Sequence, residues 1–526
     1  MDIVLAIAPR IVDDFGYTPA GPALLKGSLA AAGYSSVILD FNAELDETYK
    51  DNQELLVAIG NFFMNYNLYN QAVFEVVDQL ITKWAYDILD HSPEWVGLSV
   101  FSYNSQRAAR LLAIRLKTIN PDVKIVVGGA GIATDFSFSE TLFKEHIIDA
   151  YIRGEGELSL IQLLNGNLDH PGINGIPFQQ IDDVDSLAYP IYDDYTLADY
   201  TNRKGLVALP ITGSRGCVRS CTFCDIASMW PKYRYRNGKN IAKEMQYQVE
   251  KHNVNAFRFT DSLINGSLKA FKDMIKELSQ YRMAMPVERR FIWDSHFIVR
   301  GPGQMKPEMF DLMRDSGAGT MLIGVESGSQ RVRDHMKKGY TQAELDYCME
   351  QFSRTGIKTR FLMIVGYPTE TQEDFQNTMD MFSNYIHYCK NGTIEEVNLG
   401  LTLNLLPKTP LTDNLKKYGL VQETKHINNW ICKSNPDLDY KERLRRRIYL
   451  QQHVEQLGYK VFEAKNYTKQ LFSSWNEVLH IKQQAQVIED FKYDRDQGGL
   501  VATDKSSTAT IKIYANKNTD SSTQFS

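Results

Sequence analysis

The feature that most restricts what this chain can fold into is an alternation of short β-branched runs with helix-like stretches, broken once and then resumed. The first series reads DIVLAIA, a helix from about Pro22 to Ala32, SSVILDF and a long aromatic-rich helical insertion. It continues with WVGLSVF, a helix around Ala108 to Lys117, VKIVVGG, a helix around Glu140 to His146, IDAYIRG and a helix after Gly156. Runs of strand length separated by helical periodicity predict a doubly wound, Rossmann-like parallel sheet. The ligand crevice of such a sheet lies beyond the carboxyl ends of its strands. Those ends read Phe41-Asn42-Ala43, Ser99 to Tyr103, Gly128-Gly129 and Gly154-Glu155-Gly156.

From about Gly166 to Tyr200 the periodicity gives way to a stretch rich in Asp, Pro and Gly, which reads as connecting chain. The second series then runs LVALPITG, AFRFTD, RFIWD, TMLIGVE, TRFLMIVG and EVNLGLTL, each but the last followed by a helix pattern. Six βα-type units predict a partial or full barrel. Beyond Thr412 the pattern turns helical and polar, and from Asp496 the residues are mostly Ser, Thr, Lys, Asn, Asp and Gly, the composition of a disordered tail. The expected organisation is an α/β domain over 1–185, a linker over 186–205, a partial (β/α)6 barrel over 206–411, a helical region over 412–495 and the tail over 496–526.

No apolar run approaches the ~20 residues that span a bilayer, and MDIVLAIAPR lacks the basic start and cleavage site of a signal peptide, so a cytoplasmic setting is expected. A net charge of −6 gives no electrostatic reason for a nucleic-acid surface, and the cluster Arg443 to Arg447 in KERLRRR reads as a solvated helix face. The insertion NFFMNYNLYNQAVF and the region after Thr412 are candidates for shaping a substrate pocket, although aromatic residues at helical spacing are more often core. Neither names a substrate.

Six cysteines are too few for a disulfide framework in 526 residues, yet three of them fall within eight positions. Random placement would give such a C-x3-C-x2-C match about once in a thousand chains of this composition. The stretch Gly213-Ser214-Arg215-Gly216-Cys217-Val218-Arg219-Ser220-Cys221-Thr222-Phe223-Cys224 directly follows the first strand of the second series. It therefore occupies the carboxyl end of a barrel strand, where barrel enzymes place their chemistry. Thiolates hold iron-sulfur clusters, and three of them leave one iron of a four-iron cluster open to an exchangeable ligand. A structural zinc site is the competing account, but it wants four ligands, and Cys348, Cys389 and Cys432 are solitary along the chain.

This arrangement resembles the radical S-adenosylmethionine (SAM) superfamily, over most of the chain from residue 1 to about 411. The resemblance implies a 4Fe-4S cluster on Cys217, Cys221 and Cys224, with Phe223 as the family's aromatic residue before the third cysteine. In FRFTDSLIN, Asp261 matches an acidic position of the family; a helix N-cap would account for it equally. IGVESGS resembles the motif in which a glutamate binds the ribose of SAM, which points to Glu326 and the adjoining Ser327. A carboxylate directly after the apolar run MLIGV must have a partner if buried, so an ion pair is the other account of Glu326. MIVGYPTET resembles the family's G-x-P-G-E segment at the adenine, with Gly366 and Pro368 retained and Thr369 where a glycine is usual; LLPKTPL resembles the turn after the sixth strand.

The segments TPAGPALLKGSLAAAGYSSVILDFN, VGLSVFSYN, IVVGGAGIATD and DAYIRGEGELS are similar in order and spacing to the cobalamin-binding domain fused ahead of many radical SAM enzymes. On this resemblance Ser99, Gly128, Gly129, Gly154 and Glu155 lie at the corrinoid; glycines that merely start helices are the alternative. The Asp-x-His-x-x-Gly signature of a cobalt-ligating histidine is absent, as in many members of the fused family, and no Gly-x-Gly-x-x-Gly follows the first strand. The lack of cysteine before Cys217 argues against the methylthiotransferases, which carry a second cluster.

The function implied is a cobalamin-dependent methyltransferase, in which one SAM supplies the methyl group by way of the corrinoid and another yields a 5′-deoxyadenosyl radical that takes hydrogen from an unactivated carbon. An external electron donor such as flavodoxin or ferredoxin is the expected partner. Cyclisation or another rearrangement is the alternative outcome of the same radical, and a non-catalytic iron-sulfur sensor is the alternative from another class.

Overall fold

The computed structural model describes residues 1–9, 17–64, 70–133, 136–202, 204–400, 402–422, 427, 429–462 and the strand segments 490–494, 499–503 and 510–513. The chain divides into two compact units, Met1–Gly213 with Arg234–Thr260, and Ser214–Tyr233 with Asp261–Ser526. Among the described residues no helix is long and apolar enough to cross a membrane.

The first series forms the expected parallel sheet: β1 (Ile3–Ile7), β2 (Ser36–Asp40), β3 (Trp95–Ser99), β4 (Lys124–Gly128) and β5 (Ala150–Ile152), in the order β2-β1-β3-β4-β5. The order reverses between β1 and β3, which makes their carboxyl ends the crevice of the doubly wound fold. The aromatic-rich insertion is core on one side. In the helix Gln71–Leu89, Val73, Val77, Leu80, Ile81, Trp84, Ala85 and Ile88 recur at helical spacing and are buried, and Asn70 caps its first turn through Ala72 N and Val73 N. Phe62 and Phe63 are buried with them, and Trp84 stacks on Phe41 at 5.1 Å. Residues 65–69 of the insertion lie outside the described residues.

The second series begins with β6 (Ala208–Ile211), followed by the two-stranded pair β7 (Ser214–Arg215) and β8 (Arg234–Tyr235). It continues with β9 (Ala256–Phe259), β10 (Ile292–Phe297), β11 (Ala318–Glu326), β12 (Lys358–Met363) and β13 (Ile394–Asn398). These make a six-stranded sheet of order β13-β12-β11-β10-β9-β6, the partial (β/α)6 architecture. Between β11 and β12 the register slips at Gly324/Glu326, placing an irregularity one residue before the end of β11.

Three segments differ from the sequence reading. The connecting stretch is packed rather than free: Tyr192, Tyr195 and Tyr200 are buried, and their hydroxyls donate to Pro210 O (2.7 Å), Pro19 O (3.2 Å) and Asp40 Oδ2 (2.7 Å). Asp/Pro/Gly composition hid this because the contacts are made by tyrosines spaced irregularly. Beyond Thr412 the chain makes an antiparallel pair, β14 (Leu420–Gln422) and β15 (Trp430–Cys432), before its helix Tyr440–Gln456. That helix presents Arg445 to water, but Arg443, Arg446 and Arg447 are buried. The reason is that each finds carbonyl or carboxylate partners, which charge counting along a sequence does not reveal. In the expected tail, β17 (Gly499–Thr503) pairs with β16 (Asp490–Asp494) on one side and with β18 (Thr510–Ile513) on the other, the β-branched TIKI and LVAT runs supplying strands; the remainder lies outside the described residues.

Glu155 is the other charged residue that burial redefines. In the first unit its carboxylate accepts from Arg234 Nη1 at 2.6 and 2.9 Å and from Ile181 N at 2.6 Å. Because one member left alone would be a buried charge, Glu155→Ala is expected to lower unfolding free energy by about 3–5 kcal/mol, whereas the double change Glu155→Met with Arg234→Met recovers most of it. Urea unfolding measures this, and a single-variant loss below about 1 kcal/mol would show that the pair is not desolvated.

Candidate active site

The cysteine loop leaves β7 at Gly216, whose φ of +88° and whose position leave no room for a side chain: a Cβ would lie 2.9 Å from Lys232 O. Cys217, Cys221 and Cys224 are free and half-buried. Burial pushes the Cys224 thiol up to about 11, and each of the other two thiols adds to that; burial also raises Cys221, with Lys338 pulling the other way. A bare thiolate is costly at Cys221 and Cys224, and bound iron would lower the energy of deprotonation there. Among the described residues no three or more His, Cys, Asp or Glu side chains converge on a single ion site. Cysteines of a four-iron cluster each take a different iron, so the loop fits that group.

Thr222, between the cysteines, is fully buried and ties three motifs into one structure. Its Oγ1 lies 2.8 Å from Tyr367 Oη, its N donates to Met336 O (3.1 Å), and its carbonyl accepts from Leu411 N (2.9 Å). Tyr367 stands between Gly366 and Pro368, and Leu411 follows the KTP turn, so the segments singled out in sequence meet at the cysteine loop. Asp261 is also buried there, accepting from Ser214 Oγ at 2.5 Å. The N-cap account of Asp261 fails, because the following helix Leu268–Ala284 is capped by Ser267.

Glu326 closes β11 with a φ of +67°, a conformation that costs a non-glycine residue about 1–3 kcal/mol and clusters at functional sites. It is 7% exposed, and Lys338 Nζ donates to its Oε1 at 2.9 Å. The ion pair anticipated as an alternative is therefore real, and it coexists with an open acceptor: no described residue donates to Oε2. That oxygen suits a ribose hydroxyl. Gly324 clears the space, since a Cβ there would lie 2.4 Å from Glu326 Oε1 and 2.8 Å from Lys338 Nζ. Burial works against the Lys338 ammonium, but Glu326 and Cys221 outweigh it and hold the pKa above the ordinary lysine value. The same ammonium lies 5.9 Å from the centroid of Phe223.

Ser327, expected at SAM, also holds the chain locally. Fully buried, its Oγ lies 3.3 Å from Thr378 Oγ1 and accepts from Ser329 N at 3.1 Å, so the hydroxyl organises the turn after β11. In the first unit, Ser99 ends β3 opposite Ile7 and Gly128. A Cβ on Gly128 would meet nothing closer than 3.7 Å, whereas one on Gly129 would lie 2.5 Å from Val100 O. Phe101 and Tyr103, just past β3, are 57% and 56% exposed. At Gly154 the φ is +83° and a Cβ would lie 2.5 Å from the Phe178 ring. Lys338, Gly324, Thr222 and Tyr367 escaped sequence reasoning, since nothing in their spacing marks a lysine twelve positions from its glutamate.

Comparison with known proteins agrees. Residues 211–382 match the family described as Radical SAM superfamily, and residues 71–164 match the B12 binding domain. The chain belongs to the radical SAM superfamily and carries a B12-binding domain. The cofactors that go with these domains are a 4Fe-4S cluster, SAM and cobalamin. Among curated relatives, the anaerobic magnesium-protoporphyrin IX monomethyl ester cyclase of Rubrivivax gelatinosus is 26% identical over 69% of this chain and 62% of its own length. The cytidylyl-2-hydroxyethylphosphonate methyltransferase of Streptomyces wedmorensis is 21% identical over 70% of this chain and 72% of its own. The chain thus spans under two thirds of the cyclase. Among solved structures, the radical SAM methyltransferase TsrM of Kitasatospora setae, with cobalamin and [4Fe-4S] cluster bound, superposes with a TM-score of 0.57 at 18% identity, covering 84% of this chain and 82% of TsrM. The cobalamin-dependent SAM radical enzyme OxsB superposes at 0.61 and 17%, covering 79% of this chain and 61% of OxsB. These likenesses establish the fold.

Lys338→Met removes the only charge that balances Glu326 within the pair. The expected result is an unchanged iron content with SAM binding weakened about 10–100-fold, measured by equilibrium dialysis on the reconstituted protein. Unchanged SAM affinity would remove Lys338 from the site.

Proposed function

We propose that this chain is a cobalamin-dependent radical SAM methyltransferase acting on an unactivated carbon. The observation that carries this is the buried Glu326, strained and held by Lys338 beside Cys221, with one oxygen open to a diol, in a chain that also has a B12-binding domain. Cys217, Cys221 and Cys224 would hold the cluster. Glu326 Oε2 would accept from the ribose hydroxyls, the backbone of Gly366 to Pro368 would line the adenine, and Asp261 with Ser214 would order the strand ends beneath SAM. When bound, the cluster supplies the electron that cleaves the sulfonium of SAM and the corrinoid supplies methyl-transfer chemistry.

The thiols must stay reduced to meet iron, which favours the cytoplasm as the setting. The electron has to come from outside the chain, and a flavodoxin or ferredoxin is the donor we propose. The cyclase relative favours a second reading, in which the same radical leads to ring closure without methylation.

Anaerobic reconstitution with iron, sulfide and hydroxocobalamin, followed by reduction and SAM, is expected to yield 5′-deoxyadenosine, and Cys221→Ala is expected to abolish it. With candidate substrates, a product heavier by one methyl group supports methylation, and a product without added mass supports cyclisation or rearrangement. No cleavage from a fully assembled cluster would favour the sensor.

A further inference from the structure

The C-terminal arginines are buried against the segment that runs from Gly366 to Thr371. Gly366 has a φ of +81°, and a Cβ there would lie 2.4 Å from Arg443 Cγ and 2.5 Å from its Cδ, so the loop backbone rests directly on the Arg443 stem. Arg443 is itself fixed: its guanidinium lies 3.7 Å over the Trp430 ring, and Nη1 donates to Trp430 O (3.0 Å) and Leu438 O (2.8 Å). Trp430, wholly buried, donates in turn to Leu403 O at 3.0 Å.

The polar groups of the loop are gripped from the same side. Arg446 Nη1 donates to Glu370 Oε1 (3.0 Å), Glu370 O (3.2 Å) and Thr371 O (3.0 Å). Asn435 Nδ2 donates to Pro368 O (3.3 Å) and Glu370 O (3.0 Å). Glu370 completes the circuit by accepting from Gly366 N at 3.4 Å. Burying guanidinium groups is costly, and a helix could be anchored by apolar side chains at less expense. What the arginines add is direction: they fix the carbonyls of a loop whose backbone must meet a nucleoside edge within a fraction of an ångström.

We propose that Arg446 and Arg443 are positioning residues that set the affinity for SAM by holding the Gly366–Glu370 backbone, acting through Glu370 and Asn435 without touching SAM. The inference rests on the reading that this segment lies at the adenine of SAM. It assigns the C-terminal region a part in cofactor binding, in addition to any part in substrate binding.

The test uses the full reconstituted chain. Arg446→Met and Glu370→Gln are expected to raise both the SAM dissociation constant, by equilibrium dialysis, and the KM for 5′-deoxyadenosine formation about tenfold, with kcat within about twofold and iron content unchanged. Arg446→Lys should fall between these and the wild type, and Arg445→Ala, on the exposed face of the same helix, should match the wild type. In the cluster-free protein, amide hydrogen exchange over residues 364–371 should quicken in Arg446→Met and not in Arg445→Ala. If Arg446→Met does not fold, Glu370→Gln and Asn435→Ala carry the same comparison. Folded variants with unchanged SAM affinity and KM would overturn the proposal, whereas a wild type that fails to bind SAM would overturn the reading beneath it.

Discussion

The site depends on a glutamate held in a backbone conformation that it would not choose. Glu326 has a left-handed φ at the end of β11, is almost wholly buried, and has one lysine to balance its charge. Three neighbours make that state tolerable. Gly324 supplies the room, the register slip against β12 turns the strand end, and Tyr340 donates to Val325 O at 3.0 Å to hold the preceding peptide. Lys338 follows the helix Gln330–His335, whose end Met336 O is bound by Thr222 of the cysteine loop. The carboxylate, its counter-ion and the thiols are thus parts of one arrangement, and moving one moves the others.

Buried charge is used in the same way elsewhere. Glu155 with Arg234, Glu244 with Arg236 and Glu370 with Arg446 are all pairs with nearly inaccessible side chains. Each costs desolvation energy that good geometry only partly offsets, so none is an efficient source of stability. Each does lock a loop to a neighbouring element: Glu155 to Ile181 N as well as Arg234, Arg236 to Thr212 O, and Arg446 to the carbonyls of the loop after β12. The chain obtains precise loop placement at the carboxyl ends of its strands, where α/β folds put their chemistry.

Much of this was legible in the sequence. The strands of both series fall where the β-branched runs predict them, because apolar runs of that length have few other ways to be buried. The cysteine triplet, Asp261, Glu326 and Gly366 share the second unit with the elements that hold them. What was not legible is pairing across sequence distance. Nothing local to Glu155, expected at the corrinoid, announces Arg234 beside it, and nothing local to Ser327, expected at SAM, announces the Thr378 hydroxyl near its own. KERLRRR reads as a solvated face because its partners, Trp430, Glu370 and Gly400, are distributed over other elements. Local patterns report what a residue prefers; they do not report which backbone carbonyl will meet it.

The measurement that tests the central claim most directly is the electron paramagnetic resonance spectrum of the reduced, reconstituted protein with and without SAM. If Cys217, Cys221 and Cys224 hold a cluster with one iron open to SAM, as proposed, the spectrum changes on adding SAM, and the change is lost in Glu326→Ala while the cluster itself remains. A fully assembled and reduced cluster whose spectrum does not respond to SAM would contradict the account, since the three cysteines would then hold a group that no nucleoside approaches.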